Sequence, residues 1–383
     1  MSLFILHQKR IGVLALSNGI VCINGDESKV LCTSERVVCI AGTMDGSYLI
    51  VACANKQVKC FDLKTGILLG ERTAARRPTA ICLAENPTAI LVACGGELYA
   101  MSLPTLDKQR WLLGHTSSIL TAVRVCNGIL ATCDRNEKAR ISIWPQTAII
   151  QSYCLGHDAF LSRCVFVNGN TRLVTCGGDG TLKLWNTTDG SELASVNCSQ
   201  VLTCLDISPD NSRIAVAAEA SSMIRLFDTT DLKFLRQVEV PSIPVDLTFV
   251  FDHLLLVVLD DPRNVLTSVN LGESLESPGK SINELAACLS FCATANNLTP
   301  HLKALHALDV PVDPGQCTDD NHEQQRSTPS ILMKHHLPMK YDPSELARPG
   351  SSSKKRRRRQ DNTSTISSGH GDTRKADDDD DDD

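Results

Sequence analysis

The sequence predicts an all-β fold, a seven-bladed β-propeller followed by a disordered, charged C-terminal tail. Three observations carry that expectation. The first is the stretch Tyr153–Asn186, where a Gly156-His157 opening is followed by three strand-like runs and a closing Trp185. That is the arrangement of one blade of a WD-type propeller. The second is a repeat of strand-end residues at Ile23, Phe61, Met101, Trp144, Trp185, Phe227 and Val269. Their spacings are 38, 40, 43, 41, 42 and 42 residues, the period of four-stranded blades. The third is period-two alternation inside the repeats, with Val58 and Cys60 against Lys59, and Leu182 and Leu184 against Lys183.

The clearest blade serves as the template. Cys164–Val167 reads as its inner strand, Asn168-Gly169-Asn170 as a turn and Arg172–Cys176 as the second strand. Gly177-Gly178-Asp179-Gly180 is then a tight turn into the third strand, Thr181–Trp185. His157, Thr175, Asp179 and Trp185 are placed to form one internal hydrogen-bonded chain. Each buried polar group so partnered avoids a cost of about 1–3 kcal/mol. His157 and Asp179 therefore read as structural groups rather than as an acid/base pair. Turns recur at Asp45-Gly46, Asn127-Gly128 and Pro209-Asp210, and a second Gly-His opening occurs at His115.

The first repeat shows three short strands, at Leu3–His7, Ile11–Ser17 and Gly19–Ile23. A ring must close or leave edge strands unpaired. The missing strand of this blade is expected from Leu285–Ala295, near the domain's other end. Thr299-Pro300 reads as the start of a short helix through Leu308. The propeller is thus expected to span residues 1–309. From Val310 onward Pro, Ser, Gln and charge dominate, so residues 310–383 are expected to be disordered.

Composition narrows the function. The 17 cysteines include no C-x-x-C pair and lie mostly in apolar runs. They read as buried, reduced thiols in a reducing compartment, with no metal site and no cofactor expected. No signal peptide or membrane-spanning run is evident, and a soluble intracellular protein is expected. Residues 348–383 contain nine basic and nine acidic residues, so the net charge of −6 resides in residues 1–347. A domain that held nucleic acid mainly by its own phosphate contacts would be basic. The tail carries Lys354, Lys355, Arg356, Arg357, Arg358 and Arg359, then Asp377–Asp383. The basic run reads as a nuclear localisation signal or a nucleic-acid-contacting arm.

One turn departs from the template. Counted back from Trp144, the segment after Thr132-Cys133 is two residues longer than its counterpart before Trp185. It holds Asp134, Arg135, Asn136, Glu137 and Lys138, with no evident equivalent of the usual turn Asp. In a propeller this turn and the next blade's Gly-His loop open on one face. Arg135, Lys138 and Arg163 beside Asp134, Glu137 and Asp158 would make a mixed-sign patch suited to docking a protein.

These residues also carry a family resemblance. ATCDRNEKARIS, then YCLGHDAFLSR, then GGDGTLKLW resembles the WD-repeat non-catalytic subunit of the tRNA (guanine-N7)-methyltransferase. Ala75-Arg76-Arg77 followed by Thr79-Ala80, Asn297-Leu298-Thr299 and the late basic run add to it. The match is close across roughly residues 72–185. The resemblance implies a propeller without methyltransferase activity. It would bind and stabilise a small Rossmann-type catalytic subunit, whose product is N7-methylguanosine in the tRNA variable loop. It implies a salt-bridged partner contact for Arg163, extended to Arg135, Glu137 and Lys138. Arg76 and Arg77 become candidates to face tRNA, and tRNA would otherwise be held mainly through the complex.

The residues agree on what is missing. No glycine-rich phosphate loop follows a strand into a helix, and no G-x-S-x-G or His-Glu-x-x-His occurs. An alternative is a substrate receptor of a cullin-type ubiquitin ligase. Such receptors often end a blade in Trp-Asp-x-Arg. Trp185-Asn186-Thr187-Thr188 and Trp144-Pro145-Gln146-Thr147 lack that Arg.

Overall fold

A computed structural model describes residues 2–6, 11–15, 19–24, 27–32, 35–85, 88–116, 119–261 and 264–271. They form seven antiparallel sheets in chain order, six of four strands and a last one of three. The blades span residues 2–32, 37–73, 78–114, 120–155, 161–197, 202–239 and 244–270. Within each blade the strands run from the inner position outward as inner, second, third and outer. The inner strand of each sheet packs on that of the next, and Pro244–Phe251 of blade 7 packs on Ser2–Leu6 of blade 1. That last contact closes the ring. All seven strand-end residues used to find the repeat lie in or directly after a third strand.

Burial explains the hydrophobic pattern. Second strands are enclosed on both faces, so Leu254–Leu259 and Ile129–Asp134 are buried at every position. Outer strands such as Leu68–Thr73, Glu192–Asn197 and Phe234–Glu239 are largely exposed, with partial burial at alternate positions. Each apolar cluster joins one face of a blade to the facing side of its neighbour. Trp185, Leu161 and Cys164 of blade 5 pack with Cys133 and Ile141 of blade 4. On the other face of blade 5, Leu182 and Leu184 pack with Phe227 and Ile214 of blade 6.

The first blade differs from expectation. Its fourth strand is local, Glu27–Cys32 pairing with Gly19–Asn24, so no distant strand is needed there. The three-stranded blade is the last. Residues 285–295, 299–308 and the tail, including both charge runs, lie outside the described residues.

In blade 5, His157 Nε2 lies 2.7 Å from Thr175 Oγ1, and Trp185 Nε1–H donates to the same oxygen at 2.7 Å. The threonine hydroxyl, accepting from the indole, donates to Nε2. The imidazole proton therefore sits on Nδ1, 2.7 Å from Asp179 Oδ2. Asp179 also accepts from the backbone N–H of Thr181 and Asp158, at 2.9 and 3.1 Å. Burial alone would raise the Asp179 carboxyl. The His157 hydrogen bond and the two amides outweigh it and hold the carboxyl at about 2.

Blade 4 carries a second such chain, which corrects the reading of Asp134. His115 Nδ1 lies 2.8 Å from Asp134 Oδ2 and Nε2 lies 2.9 Å from Thr132 Oγ1. Asp134 Oδ1 accepts from the N–H of Asn136 and Lys138, and the residue is 2% exposed. Asp134 is the turn Asp of its blade and is withdrawn from the docking surface. The turn is also no longer than its neighbour. Thr132 pairs with Arg140 as Thr175 pairs with Lys183, and Glu137 (φ 70°) takes the left-handed position of Gly180 (φ 73°). The difference of two arises because Trp144 stands two positions after Ser142, the equivalent of Trp185. Ser142 opposite Leu130 stands where Trp185 stands opposite Leu173, and Trp144 packs between blades 3 and 4 instead.

Three outcomes are expected. His157→Ala lowers stability by about 1–3 kcal/mol by orphaning Thr175 and Asp179, read as a lower unfolding midpoint. Asp134→Asn likewise lowers the midpoint without weakening partner binding by the folded chain. The third concerns acid. A depressed carboxyl stabilises above its unfolded value near 3.8 and loses that contribution as pH falls toward about 2. The parent therefore loses stability across that window, and Asp179→Asn lacks that step in a pH series of thermal melts.

Candidate functional site

The inner strand of most blades starts with a register shift against its second strand. The shifts fall between Val37 and Cys39, Leu120 and Ala122, Leu161 and Arg163, Leu202 and Cys204, and Pro244 and Asp246. In blade 3 the shift falls between Pro78 and Ala80, which pair with the consecutive Cys94 and Ala93. A bulge at a strand start re-aims the side chain that follows it. In blade 5 that residue is Arg163, opposite Cys176. Its equivalents are Cys39, Ala80, Ala122, Cys204 and Asp246, which ring the inner ends of the sheets.

Arg163 is half-buried. One guanidinium nitrogen, Nη1, donates to the Ser162 carbonyl at 3.3 Å, and among the described residues it has no carboxylate partner. Its charge reaches Cys39 of blade 2 and Cys204 of blade 6, so the guanidinium lies at the central channel. Burial pushes both thiols up to about 12, and Arg163 works against that rise in each. Arg77, just ahead of the inner strand Pro78–Ala84, also acts on Cys39, which puts it at the same channel mouth.

Deeper in, Arg124 sits two positions below this ring on Leu120–Cys126, within reach of Asp206 and Asp246. Asp206 accepts from Thr248 Oγ1 at 2.9 Å and from the Phe249 N–H at 2.8 Å. Burial raises its carboxyl to about 6 against those bonds and the Arg124 charge. The residue types alone give no sign of this network, because Arg124 and Asp206 read as ordinary polar interruptions of a strand.

The other site residues lie on the face where inner strands begin and the second-to-third-strand turns close. Glu137 and Lys138 are exposed, Arg135 is half-buried, and the Arg135 N–H donates to the Ile119 carbonyl at 3.0 Å. Asp158 is exposed and follows His157 in the next loop. Arg76 is exposed, its side chain 3.0 Å from the position a Gly95 Cβ would take. The patch therefore differs from the expected one in two ways. Asp134 has turned inward to His115, and Arg163 points to the channel rather than along the rim. Counting four forward from Thr132, as Asp179 follows Thr175, reaches Asn136, so no count along the repeat finds Asp134, which stands two positions earlier. Among the described residues, no three His, Cys, Asp or Glu side chains converge as a metal set.

Residues 104–277 match the family described as "tRNA methyltransferase TRM82 WD40 domain". The tRNA (guanine-N(7)-)-methyltransferase non-catalytic subunit wdr4 of Xenopus laevis is 31% identical over 238 residues, covering 56% of this chain and 60% of that one. Its Homo sapiens counterpart, WDR4, is 30% identical over 223 residues, covering 56% of this chain and 54% of that one. The chain thus spans less than two thirds of these relatives' length. Among solved structures, a chain of a mitotic checkpoint complex superposes with a TM-score of 0.61 at 18% identity, covering 68% of this chain and 84% of that one. A structure of U3-55K superposes with a TM-score of 0.61 at 15% identity, covering 67% and 87%. At those identities they show the propeller fold alone. Through its middle blades, the chain resembles the WD-repeat non-catalytic subunits of the tRNA (guanine-N7)-methyltransferase complex.

Proposed function

We propose that this chain is a non-catalytic subunit that binds and stabilises the catalytic subunit of a tRNA (guanine-N7)-methyltransferase, supporting N7-methylguanosine formation in the variable loop. The observation that carries the reading is the match over residues 104–277, which contains the charged turn and Arg163. The geometry supports docking by Arg163, whose half-buried guanidinium at the channel mouth lacks a carboxylate among the described residues. A partner carboxylate entering there would form a desolvated pair, with Arg135, Glu137 and Lys138 as the rim. Arg76 and Arg77 offer the cations that tRNA would need from an otherwise acidic chain. The basic run Lys354–Arg359 is the segment proposed to carry the protein to the nucleus.

The test is co-expression with the candidate catalytic subunit, purification through a tag on the propeller, and methyl transfer to tRNA by each chain alone and together. Co-purification with activity only in the pair supports the reading, whereas a propeller that elutes alone and adds nothing overturns it. Arg163→Leu is expected to weaken assembly by about 2–5 kcal/mol while the isolated chain melts near the parent. A variant that melts far below it would make Arg163 a folding residue instead.

A further inference from the structure

Four blades carry a cation at one register position of the third strand. Lys59, Arg140, Lys183 and Arg225 lie opposite Val51, Thr132, Thr175 and Val216. In two of them the outer strand supplies the counter-charge, as Lys59–Glu71 at 3.9 Å and Lys183–Glu192 at 2.7 Å. Arg225 donates instead to the Cys198 carbonyl at 2.8 Å and the Gln200 side chain at 3.3 Å. In blade 4 the outer strand places Tyr153 opposite Arg140.

Arg140 is only 9% exposed. Its Nε–H donates to Ser142 Oγ at 2.9 Å and Nη2 donates to the Thr147 carbonyl at 2.8 Å. Nη1 has no partner among the described residues, and no carboxylate of that set lies within salt-bridge distance. Burial pulls the guanidinium below its ordinary pKa. Neutral oxygens offset only part of what it costs to take a cation out of water.

This guanidinium opens into a groove between the outer edge of blade 3 and blade 4, lined also by Glu97, Trp111, Leu112, Leu113 and Gly114. The Trp111 indole is 56% exposed and lies 3.7 Å from where a Gly114 Cβ would stand. A glycine at 114 leaves that space open. The Glu97 carboxylate is engaged by the Tyr99 hydroxyl at 2.8 Å. The groove thus offers an under-compensated cation beside an exposed aromatic wall, with an apolar floor.

We propose that this groove docks an acidic, apolar peptide segment of a partner protein, with a carboxylate on Arg140 and a neighbouring aliphatic side chain on Trp111. A carboxylate here would supply the counter-charge that Glu71 and Glu192 give the equivalent lysines. The surface is independent of the methyltransferase reading and needs none of the channel-mouth residues.

The test titrates the full chain with a capped pentapeptide of alternating leucine and glutamate, and with its leucine–glutamine counterpart. Trp144 and Trp185 are buried, so Trp111 fluorescence reports the groove. The glutamate peptide is expected to shift that emission saturably, bind about tenfold more tightly than the glutamine peptide, and weaken as salt rises. Arg140→Met should abolish the preference for glutamate. Trp111→Ala, an exposed change that leaves the core intact, should weaken the glutamate peptide several-fold, read by calorimetry. Equal binding of the two peptides, no binding at millimolar peptide, or full affinity in Trp111→Ala overturns the proposal. So does displacement of the peptide by an oligouridylate, which would make the groove a polyanion site.

Discussion

Each sheet in this protein has two faces that must be covered, and the ring is the arrangement that covers them. A four-stranded antiparallel sheet with apolar residues on both faces cannot stand alone in water. Here each blade lends one face to the blade before it and the other to the blade after it. The requirement propagates around the molecule until blade 7 meets blade 1. The second strands bear the largest share, which is why they are buried throughout rather than alternating.

The same constraint governs the buried polar groups. A blade that brings a histidine ring into its core must find partners for both ring nitrogens. Blade 5 does so with Thr175 and Asp179, and adds the Trp185 indole as a third donor. Blade 4 reaches the same balance with a different residue, because Asp134 approaches His115 from two positions earlier in its turn. Ser142 in place of the tryptophan leaves room that Arg140 enters. The loss of one aromatic thus explains both the displaced Trp144 and the buried guanidinium.

Charge in the interior follows a pattern of local compensation with gaps. Arg124 faces Asp206 and Asp246 down the channel, and Lys59 and Lys183 are matched across adjacent strands. Arg163 is a half-buried and Arg140 a buried cation, and the described residues provide no carboxylate for either. Cations in that state are costly to keep unless something outside the chain completes them. One lies at the channel mouth and the other in an outer groove, and the two surfaces suit different contacts.

The sequence by itself determined the repeat, the order of strands and the polar chain of blade 5. These rest on period-two burial, on turn residues and on spacing along one segment, and such signals survive without knowledge of neighbours. It also carried the resemblance, since the motifs of the charged turn and the Phe160–Arg163 loop are contiguous. What it misplaced depended on contacts between segments. Asp134 belonged to His115, 19 residues earlier, and it stands two positions before the place of the template's turn aspartate, so spacing along the repeat could not find it. The first blade took its fourth strand from the residues next to it, since a local hairpin closes at less entropic cost than a strand from the distant end. Only the tertiary structure decided where Arg163 and Arg140 point. A bulge turns one toward the channel, and a missing tryptophan admits the other, and neither effect is written in residue type or spacing.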